Sequence, residues 1–279
     1  MVRWNAHQPS VRDISTGRAF VTRVATRELW TAWWRRQTVP CRYWRPGHGV
    51  HASDIGDKLR SEGARSTGVV ASSTRLPLGI GPLDRRLDGG LPAGSVVAYC
   101  APPASQSELL LYELTAMRET LYLTTDRSED AVADALRTAT CPTGDPEIRF
   151  VPGDAPLENA RRMIRGVGEG TNVIVDAGDA LERTDRGRYE RFLNELGNHV
   201  QNTAGLAFLH CLRSGSEPDN RTATEHMADV VFDLRQERHG TEVETRLGVP
   251  KFRGGRALSE TVKLELEERV RVDTSRDIA

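Results

Sequence analysis

From residue 76 onward, short apolar runs alternate with longer amphipathic stretches along the chain. The apolar runs are SVVAYC, TLYLTTD, EIRFV, NVIVDAG and GLAFLHCL, and a stretch with helical spacing lies between each run and the next. Such alternation is typical of βα units, in which helices cover a parallel sheet. It predicts an α/β fold over residues 76–236, with a mainly parallel twisted sheet and flanking helices. An all-helical or all-antiparallel core would contradict this prediction.

The period changes in the last part of the chain. VVFDLRQE, VETRLGV and TVKLELEER alternate apolar and polar residues with period two, so residues 241–273 are predicted to add antiparallel strands at the sheet edge. Among the helical stretches, Ser128 precedes two acids and predicts a helix N-cap. One helix is predicted to bury a single stripe, which contains Tyr189, Phe192, Leu193, Leu196 and Val200.

Charge divides the chain near residue 70. Residues 1–70 carry 12 Lys and Arg against 5 Asp and Glu and contain all five tryptophans, whereas residues 71–279 carry 26 against 34. This change predicts a domain boundary, with a core domain at 71–279. Residues 1–70 are interpreted as a basic, Trp- and Arg-rich leader that is either disordered or translated from a start codon set too early. An arm that binds nucleic acid through phosphate charge and base stacking is the alternative, although no recognition motif is present.

Composition also bears on where the protein is located in the cell. No run approaches the roughly 18 apolar residues of a membrane helix, and the N-terminus has no continuous apolar stretch of signal-peptide type. The sequence therefore predicts a soluble, cytoplasmic protein with no membrane contact. The cysteines are far apart and predict neither a zinc site nor a dense disulfide framework; they are Cys41, Cys100, Cys141 and Cys211.

One segment resembles a known family. LGIGPLDRRLDGGLPAGSVV, residues 78–97, is similar to the segment that leads into the first core strand in archaeal KaiC-like members of the RecA superfamily. The resemblance continues through TLYLTTDRS, NVIVDAG and RLGVPKFRGG and covers about residues 76–273. It implies a RecA-like P-loop NTPase fold.

The family's phosphate-binding loop falls on a stretch that lacks its chemistry. That loop, G-x-x-x-x-G-K-[ST], wraps phosphates with backbone N–H groups, neutralises them with lysine and holds Mg²⁺ with a hydroxyl. Its counterpart here consists of Ala101, Pro102, Pro103, Ala104, Ser105, Gln106, Ser107 and Glu108. Gln106 replaces a glycine, Ser107 replaces the lysine, and Glu108 replaces the hydroxyl. The resemblance thus implies a degenerate Walker A loop with no cofactor; weak binding of ATP and Mg²⁺ through Ser105 and Ser107 is the alternative.

The resemblance also assigns the remaining site positions. Asp176 occupies the Walker B place, and the two acids that activate water in the family fall on Asp126 and Arg127, so Asp126 and Asp176 are interpreted as vestigial catalytic residues. For Asp176, an acid that only caps a helix or ends a strand is the alternative. No metal is predicted. Lys251 and Arg253 match residues that reach the neighbouring subunit's phosphates, the arginine-finger role.

These observations favour a catalytically degenerate KaiC-like protein, not an enzyme, that regulates or signals through contacts with a protein partner or within a homo-oligomer. An active or weakly active ATPase of DNA recombination or repair is the first alternative, and a nucleic-acid-binding regulator that uses the leader is the second. The excess of acids over residues 71–279 disfavours DNA on the core, because it repels phosphates.

Overall fold

A computed structural model describes residues 74–267 and 269–273. The predictions for the leader and for the boundary near residue 70 lie outside these residues. Within the described residues, no helix has the length and apolar character needed to cross a bilayer.

The described chain folds into short helices and strands around one large sheet. In chain order the elements are β1 (Arg75–Leu76), α1 (Gly81–Arg86), β2 (Leu91–Pro92), β3 (Ser95–Ala101), α2 (Glu108–Thr115), β4 (Thr120–Thr124), α3 (Glu129–Thr138), β5 (Glu147–Phe150), α4 (Pro156–Ile164), β6 (Asn172–Asp176), α5 (Asp179–Glu182), α6 (Arg186–Thr203), β7 (Leu206–Leu212), α7 (Arg221–Met227), β8 (Val230–His239), β9 (Glu242–Phe252), β10 (Val262–Leu266) and β11 (Val270–Val272).

The large sheet has nine strands in the order β11-β10-β9-β8-β3-β7-β6-β4-β5. From β8 to β5 every neighbouring pair is parallel. The pairs from β8 through β9 and β10 to β11 are antiparallel. The predicted α/β fold of RecA type, with a mainly parallel sheet and antiparallel strands at its C-terminal end, is confirmed.

Helices cover both faces of the sheet, because the central strands are apolar on both sides. The apolar residues of α1, α2 and α3 belong to one buried cluster, and those of α4, α5 and α6 belong to another. The stripe predicted for α6 is buried at all of its positions. Ser128 caps α3 as predicted, since its hydroxyl accepts a hydrogen bond from the Ala131 N–H at 3.2 Å.

A short ribbon, β1 paired with β2, precedes β3 along the chain, and the segment with the family resemblance supplies β2. The Asp84 carboxylate accepts hydrogen bonds from the backbone N–H groups of Leu78 at 2.8 Å and Gly79 at 3.1 Å. Gly90 has φ +119°, and a Cβ there would lie 2.2 Å from the carbonyl oxygen of Leu76. Only glycine fits such a position. These motif residues therefore shape the backbone of the ribbon.

Candidate functional site

The carboxyl ends of the parallel strands bring together most of the predicted site. The 101–108 loop follows β3, Asp126 and Arg127 follow β4, and Asp176 is the last residue of β6. Open parallel sheets bind ligands at this edge, which we call the carboxyl edge.

Asp176 is the centre of a buried polar network at the carboxyl edge. Its Oδ2 accepts hydrogen bonds from the Tyr122 hydroxyl at 2.6 Å and from Arg127 Nη2 at 2.7 Å. Its Oδ1 lies 2.7 Å from Nδ1 of His210, a residue of β7. Burial acts to raise the pKa of Asp176, but the hydrogen bond and electrostatic attraction of His210, the hydrogen bond from Tyr122 and the charge of Arg127 outweigh burial and hold that pKa at about 2. Asp176 is therefore ionised at neutral pH, and both of its oxygens face protein donors.

His210 connects Asp176 to the residue at the lysine position of the loop. Its Nε2 lies 3.0 Å from the Ser107 hydroxyl oxygen. When the imidazole is neutral, Nδ1 carries the proton that the carboxylate accepts, so Nε2 accepts the proton of the Ser107 hydroxyl. The Tyr99 ring stacks on His210 with centroids 5.4 Å apart, and the Tyr99 hydroxyl donates to the Ser107 carbonyl at 3.2 Å. Ser107 is thereby held inside the protein.

Ser107, His210 and Asp176 have the geometry of a serine-hydrolase relay. They also follow the chain order Ser, Asp, His that α/β-hydrolases use. Burial decides what this arrangement can do, because Ser107 and His210 are each 1% exposed. A substrate carbonyl from solvent has no path to the Ser107 oxygen in this arrangement. The relay is therefore a structural chain of hydrogen bonds.

The two positions of the family's water-activating acids differ in environment. Arg127 turns inward, where Nη1 donates to the Tyr112 hydroxyl at 3.0 Å while Nη2 holds Asp176. Burial acts to lower the pKa of Arg127, but the bond to Tyr112 and the charge of Asp176 outweigh it and raise that pKa above its usual range. Asp126 is exposed and accepts a hydrogen bond from the Thr125 hydroxyl at 3.1 Å. The structure therefore separates Asp126 from the network.

The two serine hydroxyls of the 101–108 loop make their polar contacts within the loop and with the network. The Ser105 hydroxyl donates to the Pro102 carbonyl at 2.6 Å, and Ser105 is 1% exposed. Gln106 is exposed and has φ +50°, a left-handed conformation that glycine adopts more easily. Glu108 begins α2. The two hydroxyls that the sequence offered to a phosphate, those of Ser105 and Ser107, are thus both used internally.

Lys251 and Arg253 lie at the edge of the sheet opposite the carboxyl edge, near the beginning of β8. Lys251, on β9, pairs with Val231 near the beginning of β8. Its Nζ donates to the backbone carbonyls of Glu225 at 2.9 Å and His226 at 2.6 Å. Burial and the charge of Arg253 lower the pKa of Lys251. The two cations close the carbonyl end of α7, since Arg253 also donates to the His226 carbonyl, at 3.0 Å.

Sequence reasoning missed the aromatic and histidine members of the network. Its one available signal was His210, a polar residue inside the apolar run GLAFLHCL. Tyr99, Tyr112 and Tyr122 carried no such signal, because tyrosine is common in buried strands and helices. The described residues contain no group of three or more His, Cys, Asp or Glu side chains that could hold a metal ion.

Comparisons with known proteins agree with this fold. Residues 75–279 match a family of unknown function, DUF7125. No curated protein matches the chain. A solved structure of a KaiC-like protein from the hyperthermophilic archaeon Pyrococcus horikoshii OT3 is similar, with a TM-score of 0.60 and 14% sequence identity, over 72% of this chain and 99% of that one. At this identity the likeness shows a KaiC-like RecA fold alone.

Proposed function

The chain belongs to DUF7125, a family of unknown function, and we propose that it is a RecA-fold protein that has lost ATP hydrolysis and acts in regulation or signalling through contacts with other proteins. We further propose that it is a KaiC-like protein of the archaeal type and that it acts in the cytoplasm.

The engagement of Asp176 carries this proposal. In KaiC-like ATPases, the Walker B carboxylate holds the water shell of Mg²⁺, and such a role requires lone pairs that face the metal site. In this chain, Tyr122, Arg127 and His210 occupy both oxygens of Asp176 at 2.6 to 2.7 Å. The positive charge beside Asp176 is that of Arg127, which takes the electrostatic place of a bound cation.

The loop supports the same proposal from the phosphate side. Ser107 carries no charge at the position where KaiC-like ATPases have lysine, and its hydroxyl is directed to His210. Glu108, the first residue of α2, brings a negative charge to the helix end that would otherwise attract phosphate. The side chains at the carboxyl edge therefore do not fit a nucleotide with Mg²⁺.

Calorimetric titration of the purified protein with ATP and Mg²⁺ tests the proposal. We expect no saturable binding up to millimolar nucleotide and no release of phosphate above the background of a buffer control. Asp176→Asn is the matched variant, since it removes the acid that an ATPase would use. Phosphate release by the wild type that is lost in Asp176→Asn would overturn the proposal and favour an ATPase.

A further inference from the structure

A groove of about 410 Å³ lies between α6 and the turn that leads into β3. We call it the α6 groove. It is at the edge of the sheet opposite the carboxyl edge, because its lining includes Gly94 and Ser95 at the start of β3 and Ala228 and Asp229 just before β8. None of the described residues that line it belongs to the Asp176 network. It is therefore a separate site from the carboxyl edge.

One wall of the groove is a row of carboxamides on α6. The row consists of Asn194, Asn198 and Gln201, which are all exposed to solvent. Their spacing places them on one face of the helix, with rises of about 6 and 4.5 Å between neighbours. A carboxamide offers N–H donors and an oxygen acceptor, as a peptide group does. The row therefore matches the backbone of an extended chain, in which the N–H and C=O groups on one side recur about every 6.6 Å.

The rest of the lining has no net charge and includes accessible apolar surface. Among the described residues that line the groove, the charged side chains are those of Asp229 and Arg253, and Arg253 Nη1 lies 3.3 Å from Asp229 Oδ1. Ala93 and Met227 are half-buried and line the groove with apolar atoms. A charge placed there would lose water without gaining a free counter-charge. The groove therefore favours an uncharged occupant.

Gly197 lies inside α6 between the carboxamides and also lines the groove. A glycine in the interior of a helix is destabilising relative to alanine. Packing does not require it, because a Cβ at Gly197 would lie 3.9 Å from Val96 Cγ2, an ordinary van der Waals distance. Gly94 differs, since a Cβ there would lie 2.9 Å from the Cα of Gln201. The missing side chain of Gly197 leaves the middle of the groove open, and an occupant that needs this room accounts for it.

We propose that the α6 groove binds an extended, uncharged peptide segment of a partner protein. The segment lies along α6 over Gly197, where its N–H and C=O groups exchange hydrogen bonds with the row of carboxamides, and its apolar side chains pack on Ala93 and Met227. Main-chain hydrogen bonds of this kind provide the affinity when an extended peptide is recognised.

This inference rests on the proposed function, because it gives the contact with another protein a place on the molecule. The two fail separately. Nucleotide hydrolysis at the carboxyl edge would overturn the proposed function, whereas a groove that binds no peptide would overturn only this inference.

Selection of short random peptides displayed on phage, with the full chain as the target, tests the inference. The Gly197→Leu variant first removes phage that bind elsewhere, because a leucine side chain would fill the groove. Selected peptides are synthesised with capped termini and titrated by fluorescence anisotropy. We expect uncharged peptides that bind saturably in the micromolar range. Methylation of one backbone nitrogen at a time should weaken binding at alternate positions, because alternate N–H groups of an extended chain face the same side.

Variants of α6 separate binding from folding. Gly197→Leu should weaken peptide binding about tenfold or more. Gly197→Ala should weaken it less but raise the temperature of unfolding, a combination that a purely structural glycine would not give. Asn198→Ala should weaken binding about fivefold, the effect of one lost hydrogen bond. Asn202→Ala removes an exposed asparagine of α6 outside the lining and should leave binding unchanged.

The proposal is wrong if no peptide is enriched, if the enriched peptides all carry charged residues, or if they bind Gly197→Leu as tightly as the wild type. A wild-type dimer that Gly197→Leu converts to a monomer would make a second copy of this chain the occupant and would also overturn it. Thermal unfolding verifies that each variant is folded. If Gly197→Leu unfolds, Gly197→Ala takes its place in the selection.

Discussion

Arg127 places a positive charge at a position of the site where the resemblance predicts an acid. It occupies the position of the second water-activating acid of KaiC-like ATPases, and its guanidinium lies 2.7 Å from Asp176. Its side chain is 35% exposed whereas that of Asp176 is 8% exposed, so the pair lies at the boundary between solvent and core. A cation at this boundary lets a buried carboxylate remain ionised without a metal ion.

Asp176 should make stability depend on pH in acid. Its pKa is about 2 when folded and 3.8 without the protein environment, so the stabilisation is complete above about pH 4 and is lost as pH falls through 2. The pKa difference corresponds to about 2 kcal/mol. We expect urea unfolding at a series of pH values to show this loss in the wild type. It should be absent in Asp176→Asn, which should also be less stable at pH 7 by about 3 kcal/mol.

Asp126→Asn is the matched control for that series. Asp126 is exposed, so this variant should keep the acid dependence of the wild type. An Asp176→Asn variant that loses stability in acid as steeply as the wild type would show that other carboxylates cause the dependence.

Ser107 should be chemically inert despite its relay geometry. Because it is 1% exposed, we expect no labelling of the folded protein by a fluorophosphonate, a reagent that reacts with activated serines. The measurement is the mass of the intact protein after incubation. Labelling that disappears in both Ser107→Ala and His210→Ala but persists in Ser105→Ala would instead identify a nucleophile.

At the scale of elements, the positions that we compare with KaiC-like proteins are of two kinds: some keep the family's residue type, and others depart from it. Asp84 and Gly90 have the types that the family motif requires: Asp84 holds the backbone that follows β1, and Gly90 lets the chain pass close to Leu76 of β1. Ser107 and Glu108 depart from the family's loop, and they lie where phosphate chemistry would take place. The first kind of residue shapes the backbone, so the fold does not depend on which side chains the loop carries.

Periodicity predicted the longer elements because it reports which face of an element is buried. The stripe of α6 and the apolar strands β3, β4, β6 and β7 are examples. The helices α1, α5 and α7 were not predicted, because 4 to 7 residues are too few to show a helical period.

The Asp176 network could not be predicted from the sequence, because it depends on side chains from strands that are distant along the chain. Ser107 and His210 are separated by 103 positions, and His210 and Asp176 by 34. A burial pattern places these residues inside the protein but does not say which polar groups meet there. The family resemblance supplied Asp176 and the loop, and it supplied no role for His210 or the tyrosines.

At the scale of the whole molecule, acids of the predicted site and the two cations that the resemblance directs to a neighbouring subunit lie at opposite edges of the sheet. Glu108 and Asp126 are at the carboxyl edge, whereas Lys251 and Arg253 lie beside the end of α7. Contact between the two sets therefore requires two copies arranged head to tail. The donors of Lys251 and Arg253 are already engaged with carbonyls of their own chain, so such a contact would exchange existing bonds for new ones.

Sedimentation of the protein at low and high salt tests this assembly. Exposed ion pairs contribute about 0 to 1 kcal/mol each and are screened by salt. Since the two cations would also lose their contacts with α7, we expect the mass of a monomer in both conditions. Arg253→Glu should lower the free energy of unfolding by about 1 kcal/mol, because it places a negative charge beside helix carbonyls, and should leave the mass unchanged. A larger species at low salt that disappears both at high salt and in Arg253→Glu would contradict this expectation and establish a head-to-tail homo-oligomer held by these charges.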